Sequence, residues 1–289
     1  MRLNVVLRNL RSWYMRTTVN DSCAISLALI AAATLLAGRI SAQQSVEPTI
    51  GQPGKDAIWV PTSPDMVEKM LDMAQVTPED LLIDLGSGDG RMVIAAAKRG
   101  ARAIGVEYDP DLVEFSRRRA READVADKAT FVQEDMFEAD ISKATVLALF
   151  LLPQNLERLR DKFLSLPPGT RIVLNTYGIP GWEPDAKEVL VGECSSWCTS
   201  MLHIVPAPVA GVWQFPFGEL TLIQQFQMVS GTLSSGGRTT PLGNGRVRGD
   251  RITFSVAGAD YTGHAKGDRI EGNRDSSGNR QSWTATRRP

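Results

Sequence analysis

Histidine and cysteine are almost missing from this chain, with two and three in 289 residues. A structural zinc site takes four Cys or His ligands at short spacings, and this sequence does not offer them. Cys194 and Cys198 stand as a lone pair. His203 lies in an apolar stretch and reads as a packed residue, and His264 has no Cys or carboxylate cluster beside it. No bound metal is expected. A surplus of positive charge is missing too. Residues 1–42 carry five Arg and one Asp, residues 43–210 carry 17 basic against 26 acidic side chains, and residues 211–289 carry 10 against 6. A surface that holds nucleic acid neutralises phosphates with Lys and Arg, so the acidic first part argues against nucleic acid and suits a basic protein partner.

The N-terminal apolar run is also short. Cys23 to Gly38 gives about 16 mostly apolar residues, where a membrane-spanning helix needs roughly 20. Arg2, Arg8, Arg11 and Arg16 precede the run, and Ile40-Ser41-Ala42 follows it. Positive leader, apolar stretch and small-residue cleavage site in that order make a secretion signal, with an uncleaved membrane anchor as the other reading. Either places the rest of the chain outside the cytoplasm, because the positive flank stays inside. Membrane contact is expected only through that segment, if it is retained. Without the leader, Cys194 and Cys198 are an even pair that an exported protein can close into a small disulfide loop. Two unrelated thiols remain the other possibility, since spacing does not fix connectivity.

What the chain has is a glycine turn around which the rest is arranged: Leu81-Leu82-Ile83-Asp84-Leu85-Gly86-Ser87-Gly88-Asp89-Gly90-Arg91. An apolar run of strand length leads into glycines at alternate positions and then into a helical stretch, Asp89 to Arg99. Before it, residues 43–57 are polar and rich in Pro and Gly, a linker. Asp65 to Gln75 carries an apolar stripe at helical spacing, with Ser63 or Thr62 as cap and Pro64 in the first turn. After it come strand Ala103 to Glu107, a helix opened by Asp109-Pro110, strand Ala129 to Gln133, and the apolar run Thr145 to Leu151. Helix Pro153 to Leu166 and strand Arg171 to Asn175 complete the series. Strands alternating with helices specify an α/β, doubly wound, mostly parallel sheet over residues 58–208. Val189 to Gly192 and Met201 to Val205 add an antiparallel edge. From residue 209 to 289 the texture changes to short alternating runs between Gly-rich turns. That pattern gives a small all-β meander, or a barrel if its ends close, with a packed interior the expected state.

Two kinds of ligand compete for the glycine turn. A dinucleotide site has G-x-G-x-x-G with an acid closing the second strand. Here the spacing is G-x-G-x-G (Gly86, Gly88, Gly90), and Asp84 stands two residues before the first glycine. A carboxylate there repels a pyrophosphate and welcomes an ammonium. S-adenosylmethionine has an amino-acid end and no phosphate, so it fits this turn.

Asp84-Leu85-Gly86-Ser87-Gly88-Asp89-Gly90 resembles motif I of the class I S-adenosylmethionine-dependent methyltransferases, a likeness that extends over about residues 57–206. It implies that Gly86, Ser87 and Gly88 cradle the methionine portion while Asp84 anchors its amino end. It further implies that Glu107 takes both ribose hydroxyls, that Asp135 accepts from the adenine amino group, and that Met136 lies beside the base. A narrower resemblance rests on Val60-Pro61-Thr62 before a helix, Phe150-Leu151-Leu152-Pro153 after the fourth strand, and Gly178 to Trp182 after the fifth. These look like the small protein-lysine methyltransferases related to those acting on the ATP synthase c-subunit and the adenine nucleotide translocase. Thr62 joins the cofactor set on that basis. The C-terminal meander is not part of that family's core. Where nucleic-acid amino-methyltransferases carry Asn/Asp-Pro-Pro-aromatic, this chain has Leu151-Leu152-Pro153-Gln154.

The resulting expectation is methyl transfer to an amine acceptor, a protein lysine, with Asn175 and Tyr177 as catalytic candidates just past the fifth strand. The rival reading is an exported, non-catalytic scaffold with a degenerate methyltransferase fold and a ligand-binding barrel.

Overall fold

The computed structural model describes residues 47–192 and 194–288. The leader expected over residues 1–42 lies outside them. Among the described residues, no helix is long and apolar enough to cross a membrane.

The first sheet holds seven strands: β1 (Leu81–Leu85), β2 (Arg102–Glu107), β3 (Ala129–Gln133), β4 (Val146–Leu149), β5 (Arg171–Asn175), β6 (Ala186–Val189) and β7 (Thr199–Ile204). Their spatial order is β3-β2-β1-β4-β5-β7-β6, with β1 to β5 parallel and β7 antiparallel to both of its neighbours. The helices are α1 (Pro64–Met73), α2 (Arg91–Lys98), α3 (Pro110–Glu122) and α4 (Pro153–Leu164). Ser63 caps α1 through its hydroxyl, which accepts from the Met66 amide, and Asp109 caps α3 ahead of Pro110. Both are the oxygen-bearing caps the sequence predicts.

Alternation along β1 decides what each face meets. Leu82 joins Met66, Met70 and Leu71 of α1 and Val93 and Ala96 of α2 on one side. Ile83 and Leu85 join Leu156, Leu159 and Phe163 of α4 on the other. Asp84 therefore shares the α1/α2 face. Strand order reverses at β1, which pairs with β2 on one side and β4 on the other. In open α/β sheets this switch point leaves a crevice beyond the carboxyl ends of the strands.

The second sheet is a closed antiparallel barrel of eight strands. They are β8 (Gly211–Phe215), β9 (Gly218–Gln225), β10 (Met228–Ser235), β12 (Gly243–Arg248), β13 (Arg251–Val256), β14 (Ala259–Lys266), β15 (Arg269–Ser276) and β16 (Asn279–Arg287), while β11 (Arg238–Pro241) pairs with β10 alone. β16 returns to β8 at Thr286 and Arg287, and β9 pairs with β10, so the ring closes. The interior is filled by side chains. Phe254 stacks on Tyr261 at 4.9 Å between centroids, and Phe215 meets Trp283 edge-on at 5.1 Å. Closure removes the exposed strand edges that an open meander presents.

Three expectations shift. The sixth strand covers Ala186–Val189 rather than Val189 to Gly192. The pairing falls on a mostly exposed, polar edge segment, whereas the apolar letters that follow belong to the turn beyond it. The alternating runs legible in the last segment are Leu220–Phe226, Val229–Leu233, Gly245–Arg248, Ile252–Val256, Tyr261–His264, Ile270–Gly272 and Gln281–Thr286, so β8 and β11 are additions. β11 is a short exposed strand with no apolar alternation to reveal it. The stretch read as a linker over residues 43–57 is built in part as a tight hairpin. The Gly51 amide donates to the Trp59 carbonyl and the Trp59 amide to the Gln52 carbonyl, with an antiparallel bridge between Pro53 and Ile58. Pro and Gly serve a hairpin as readily as a linker.

Candidate functional site

A cavity of about 270 Å³ opens at the switch point, walled by residues 52–60, the end of β2, Asp135 and Met136, and the Phe150-Leu151-Leu152 segment. A smaller one of about 50 Å³ continues beneath Trp59 to Thr62, Asp84, Gly86, Ser87 and Gly88. Trp59, Val60, Gly86 and Phe150 line both.

The glycine turn uses most of its amide hydrogens internally. Gly86 and Ser87 both donate to the Val106 carbonyl (2.8 and 3.0 Å), Gly90 donates to the Ser87 carbonyl, and Gly88 donates to the Glu107 carboxylate at 2.9 Å. An anion-binding nest needs such N–H groups free. This turn is therefore not built for a diphosphate. Its glycines serve shape: Gly88 has φ +54°, and a Cβ on it meets the Trp59 indole nitrogen at 2.3 Å. Gly88 and the Asp109 amide (3.0 Å) together clamp the Glu107 side chain at the end of β2, where it borders the larger cavity.

Asp84 is 7% exposed and borders the smaller cavity. Burial, then the nearby Glu107 and Asp89 carboxylates, push its pKa up to about 8. Among the described residues, neither a hydrogen bond nor a cation offsets them. A buried carboxylate facing a void without a counter-charge is a receptor for a cation. Ser87 adds a buried hydroxyl with no partner. The fit is to an ammonium-bearing guest whose ribose hydroxyls reach Glu107.

Asp89 has the opposite environment. Burial works against its charge, but Arg91 (2.7 Å) and Arg119 outweigh it and hold its pKa down. The same Arg91 donates to the Thr62 carbonyl at 2.6 Å, tying the segment before α1 to the glycine turn. Asp135 pairs with Lys55 of the hairpin and accepts from the Phe137 amide; the Lys55 bond, then that amide, lower its pKa. Lys55 also lies 4.9 Å from the Tyr108 ring centroid.

Of the residues singled out in the sequence, Asp84, Gly86, Ser87, Gly88 and Thr62 meet at the smaller cavity, and Glu107, Asp135, Met136 and Tyr177 meet at the larger. Asn175 lines neither. It is 1% exposed, donates weakly to the Thr62 hydroxyl (3.4 Å) and accepts from the Thr176 hydroxyl. Sequence reasoning gave no role to Lys55, Trp59, Tyr108 or Trp197 and used Phe150 only within the Phe150-to-Pro153 resemblance; all five are on the cavity wall. The only signals were position: Trp59 immediately precedes Val60-Pro61-Thr62, and Trp197 sits between two cysteines. Those cysteines are joined by a disulfide, Cα to Cα 5.8 Å.

The family model described as the ANTKMT methyltransferase domain matches residues 84–186, ending before the barrel. A protein-lysine N-methyltransferase of Saccharolobus islandicus (strain REY15A) is 40% identical over 135 residues, which are 46% of this chain and 83% of that protein. The Mus musculus lysine N-methyltransferase of the ATP synthase c-subunit is 38% identical over 128 residues; the chain covers 44% of its own length there and 51% of the mouse protein's. A solved RNA methyltransferase from Salinibacter ruber in complex with S-adenosyl-L-homocysteine is 45% identical, covers 52% of this chain and 96% of that chain, and superposes with a TM-score of 0.49. The cofactor is S-adenosylmethionine. The chain belongs to the class I S-adenosylmethionine-dependent methyltransferases, in the branch of the small protein-lysine methyltransferases.

Proposed function

We propose that the protein methylates a lysine side chain of another protein, and does so outside the cytoplasm. The observation that carries the methyl-transfer reading is Asp84: a buried carboxylate without a cation, set against a turn whose amides are already used. The cofactor, when bound, supplies an electrophilic methyl group on a sulfonium. The chain supplies the rest. Asp84 holds the amino end, Glu107 the ribose, and Asp135 the base once Lys55 yields it. Trp59 and the hairpin keep water from the crevice. Tyr177 collects the amine at the mouth, while Asn175 acts through Thr62 as a positioning residue. The lysine is collected at the mouth as its ammonium and must lose that proton to solvent before its nitrogen can take the methyl group.

The acceptor class is supported by the names of the relatives, which act on lysines of proteins. The compartment is supported by the leader pattern and by the closed Cys194–Cys198 loop, since disulfides persist where the surroundings oxidise.

The test is incubation of purified protein and radiolabelled cofactor with a cell-envelope extract, followed by acid hydrolysis. Methyl-lysine is expected with wild type and absent with Asp84→Ala. Label in nucleic acid in place of protein would remove the lysine acceptor, and no label above the variant would remove methyl transfer itself. Mass measurement of the mature chain decides the compartment separately: a start near Gln43 is expected, and an intact Met1 in the cytosolic fraction overturns export.

A further inference from the structure

Trp197 has an unusual position for a large apolar side chain. It is 43% exposed, has a left-handed backbone (φ +58°), and still lines the larger cavity. Left-handed backbone at a bulky residue persists only where the surroundings enforce it. Here the enforcement is visible. The disulfide closes the loop from Cys194 to Cys198, and the Leu190 amide donates to the Cys198 carbonyl at 2.7 Å. The Thr176 amide donates to the Thr199 carbonyl, also at 2.7 Å, linking that loop to the segment that carries Tyr177.

Three rings result at one opening. Phe150 meets Trp197 edge-on (5.9 Å, 64°) and lies nearly parallel to Tyr177 (6.4 Å, 19°). All three line the larger cavity, and Phe150 also reaches the smaller one, where Asp84 lies. Some other aromatic faces carry cations, Arg118 over Phe115, Arg158 over Phe137 and Arg287 over Trp213, and at this cavity Lys55 lies over Tyr108. Among the described residues, no Lys or Arg covers Phe150, Tyr177 or Trp197. A cluster of uncovered π faces at the mouth of a site suits a weakly hydrated cation.

We propose that Phe150, Tyr177 and Trp197 form the subsite for the acceptor's ammonium end, and that the Cys194–Cys198 bond maintains it by holding Trp197 at the mouth. The proposal rests on the methyl-transfer reading and extends it. Each methyl added to a lysine nitrogen spreads its charge and thins its hydration, so the rings hold methylated forms more tightly and favour successive transfers.

The experiment is titration calorimetry on the full chain saturated with S-adenosylhomocysteine, using Nα-acetyl-Nε-trimethyllysine amide as probe. A cation over Trp is worth about 1–2 kcal/mol when partly desolvated, so Trp197→Ala is expected to weaken the probe roughly five- to thirtyfold. Trp197→Phe should fall between, and Cys194→Ser/Cys198→Ser should weaken it severalfold, with S-adenosylhomocysteine binding kept in all three as the check on folding. Variants that bind the probe as wild type does overturn the subsite, as does equal affinity for the uncharged tert-butyl isostere. Wild type that takes S-adenosylhomocysteine but no probe overturns the subsite and leaves methyl transfer standing. Wild type that takes no S-adenosylhomocysteine overturns methyl transfer and the subsite with it.

Discussion

Asp84 carries a charge at neutral pH only when something positive lies beside it. Its pKa stands at about 8 because burial, helped by Glu107 and Asp89, disfavours the carboxylate. An incoming ammonium reverses that and drives the proton off. Cofactor-product binding at pH 7 should therefore release close to one proton, seen as a buffer-dependent heat in calorimetry, and affinity should rise from pH 6 to 8. A flat affinity over that interval, with no proton released, would sink the ammonium assignment. The same shift acts on stability. The folded-state pKa lies above the unfolded value near 3.9, so the folded chain binds the extra proton between those limits. The stabilisation is fully present below about pH 4 and is lost as pH rises through about 8. Asp84→Asn removes the buried charge. It should raise stability at pH 8 by on the order of 2–4 kcal/mol while abolishing S-adenosylhomocysteine binding. Thermal melts at pH 5 and 8 check this, because the gain should shrink at the lower pH.

The elements around that carboxylate are held by one arginine. Arg91, first residue of α2, grips Asp89 within its own turn and the Thr62 carbonyl ahead of α1. Arg91→Ala leaves the mostly buried Asp89 to Arg119 alone and frees the wall that carries Trp59. We expect a stability loss of about 1–3 kcal/mol and roughly tenfold weaker S-adenosylhomocysteine binding, with Arg91→Lys restoring the first more than the second, since Lys cannot make the fork of bonds. Unchanged binding in Arg91→Ala would show that the wall stands without it. Much of this arrangement was legible in the sequence. β1 and β5 fall on the predicted residues because strands covered on both faces read as near-continuous apolar runs, and β3, at the sheet edge, falls on Ala129–Gln133 with only its alternate residues buried. Glu107 and Asp135 could be placed because the resemblance of Asp84 to Gly90 to motif I of the class I methyltransferases implies a role for each. The hairpin over the cavity was not legible, since Lys55 and Trp59 reach the site through a long-range ion pair and a packing contact that no local pattern encodes. The edge strand was misplaced for a related reason. On an edge, pairing follows the neighbour β7 rather than the apolar letters.

At the scale of the whole molecule, the barrel is fastened to the methyltransferase sheet through a small set of contacts. Trp182 stacks on Phe226 (5.5 Å, 4°), Gln227 donates to the Glu183 carbonyl at 2.6 Å, and Arg246 of β12 pairs at 2.8 Å with the side chain of Asp185, itself 1% exposed. Asp185 also accepts from the Ile204 amide of β7, so one carboxylate bridges both sheets. Barrel closure was beyond sequence reading because it depends on Thr286 returning to Gln214 across the whole segment. A junction with a nearly inaccessible charge is unforgiving, since removing one partner strands the other. Arg246→Ala should therefore cost about 2 kcal/mol, with most of it returned by Asp185→Asn in the same chain. The junction also decides whether the two sheets share stability. A ligand at 100 times its Kd stabilises what it binds by about 2.7 kcal/mol, and that gain spreads only as far as unfolding is cooperative. If the junction couples the sheets, S-adenosylhomocysteine slows amide exchange in barrel strands such as β13 and β14, which lie outside its site. Phe226→Ala/Arg246→Ala should abolish that remote protection while leaving protection around Asp84 and Glu107 in place. Barrel exchange that ignores the ligand in wild type would make the barrel an independent body, and its retention would then need a reason other than support of the methyltransferase fold.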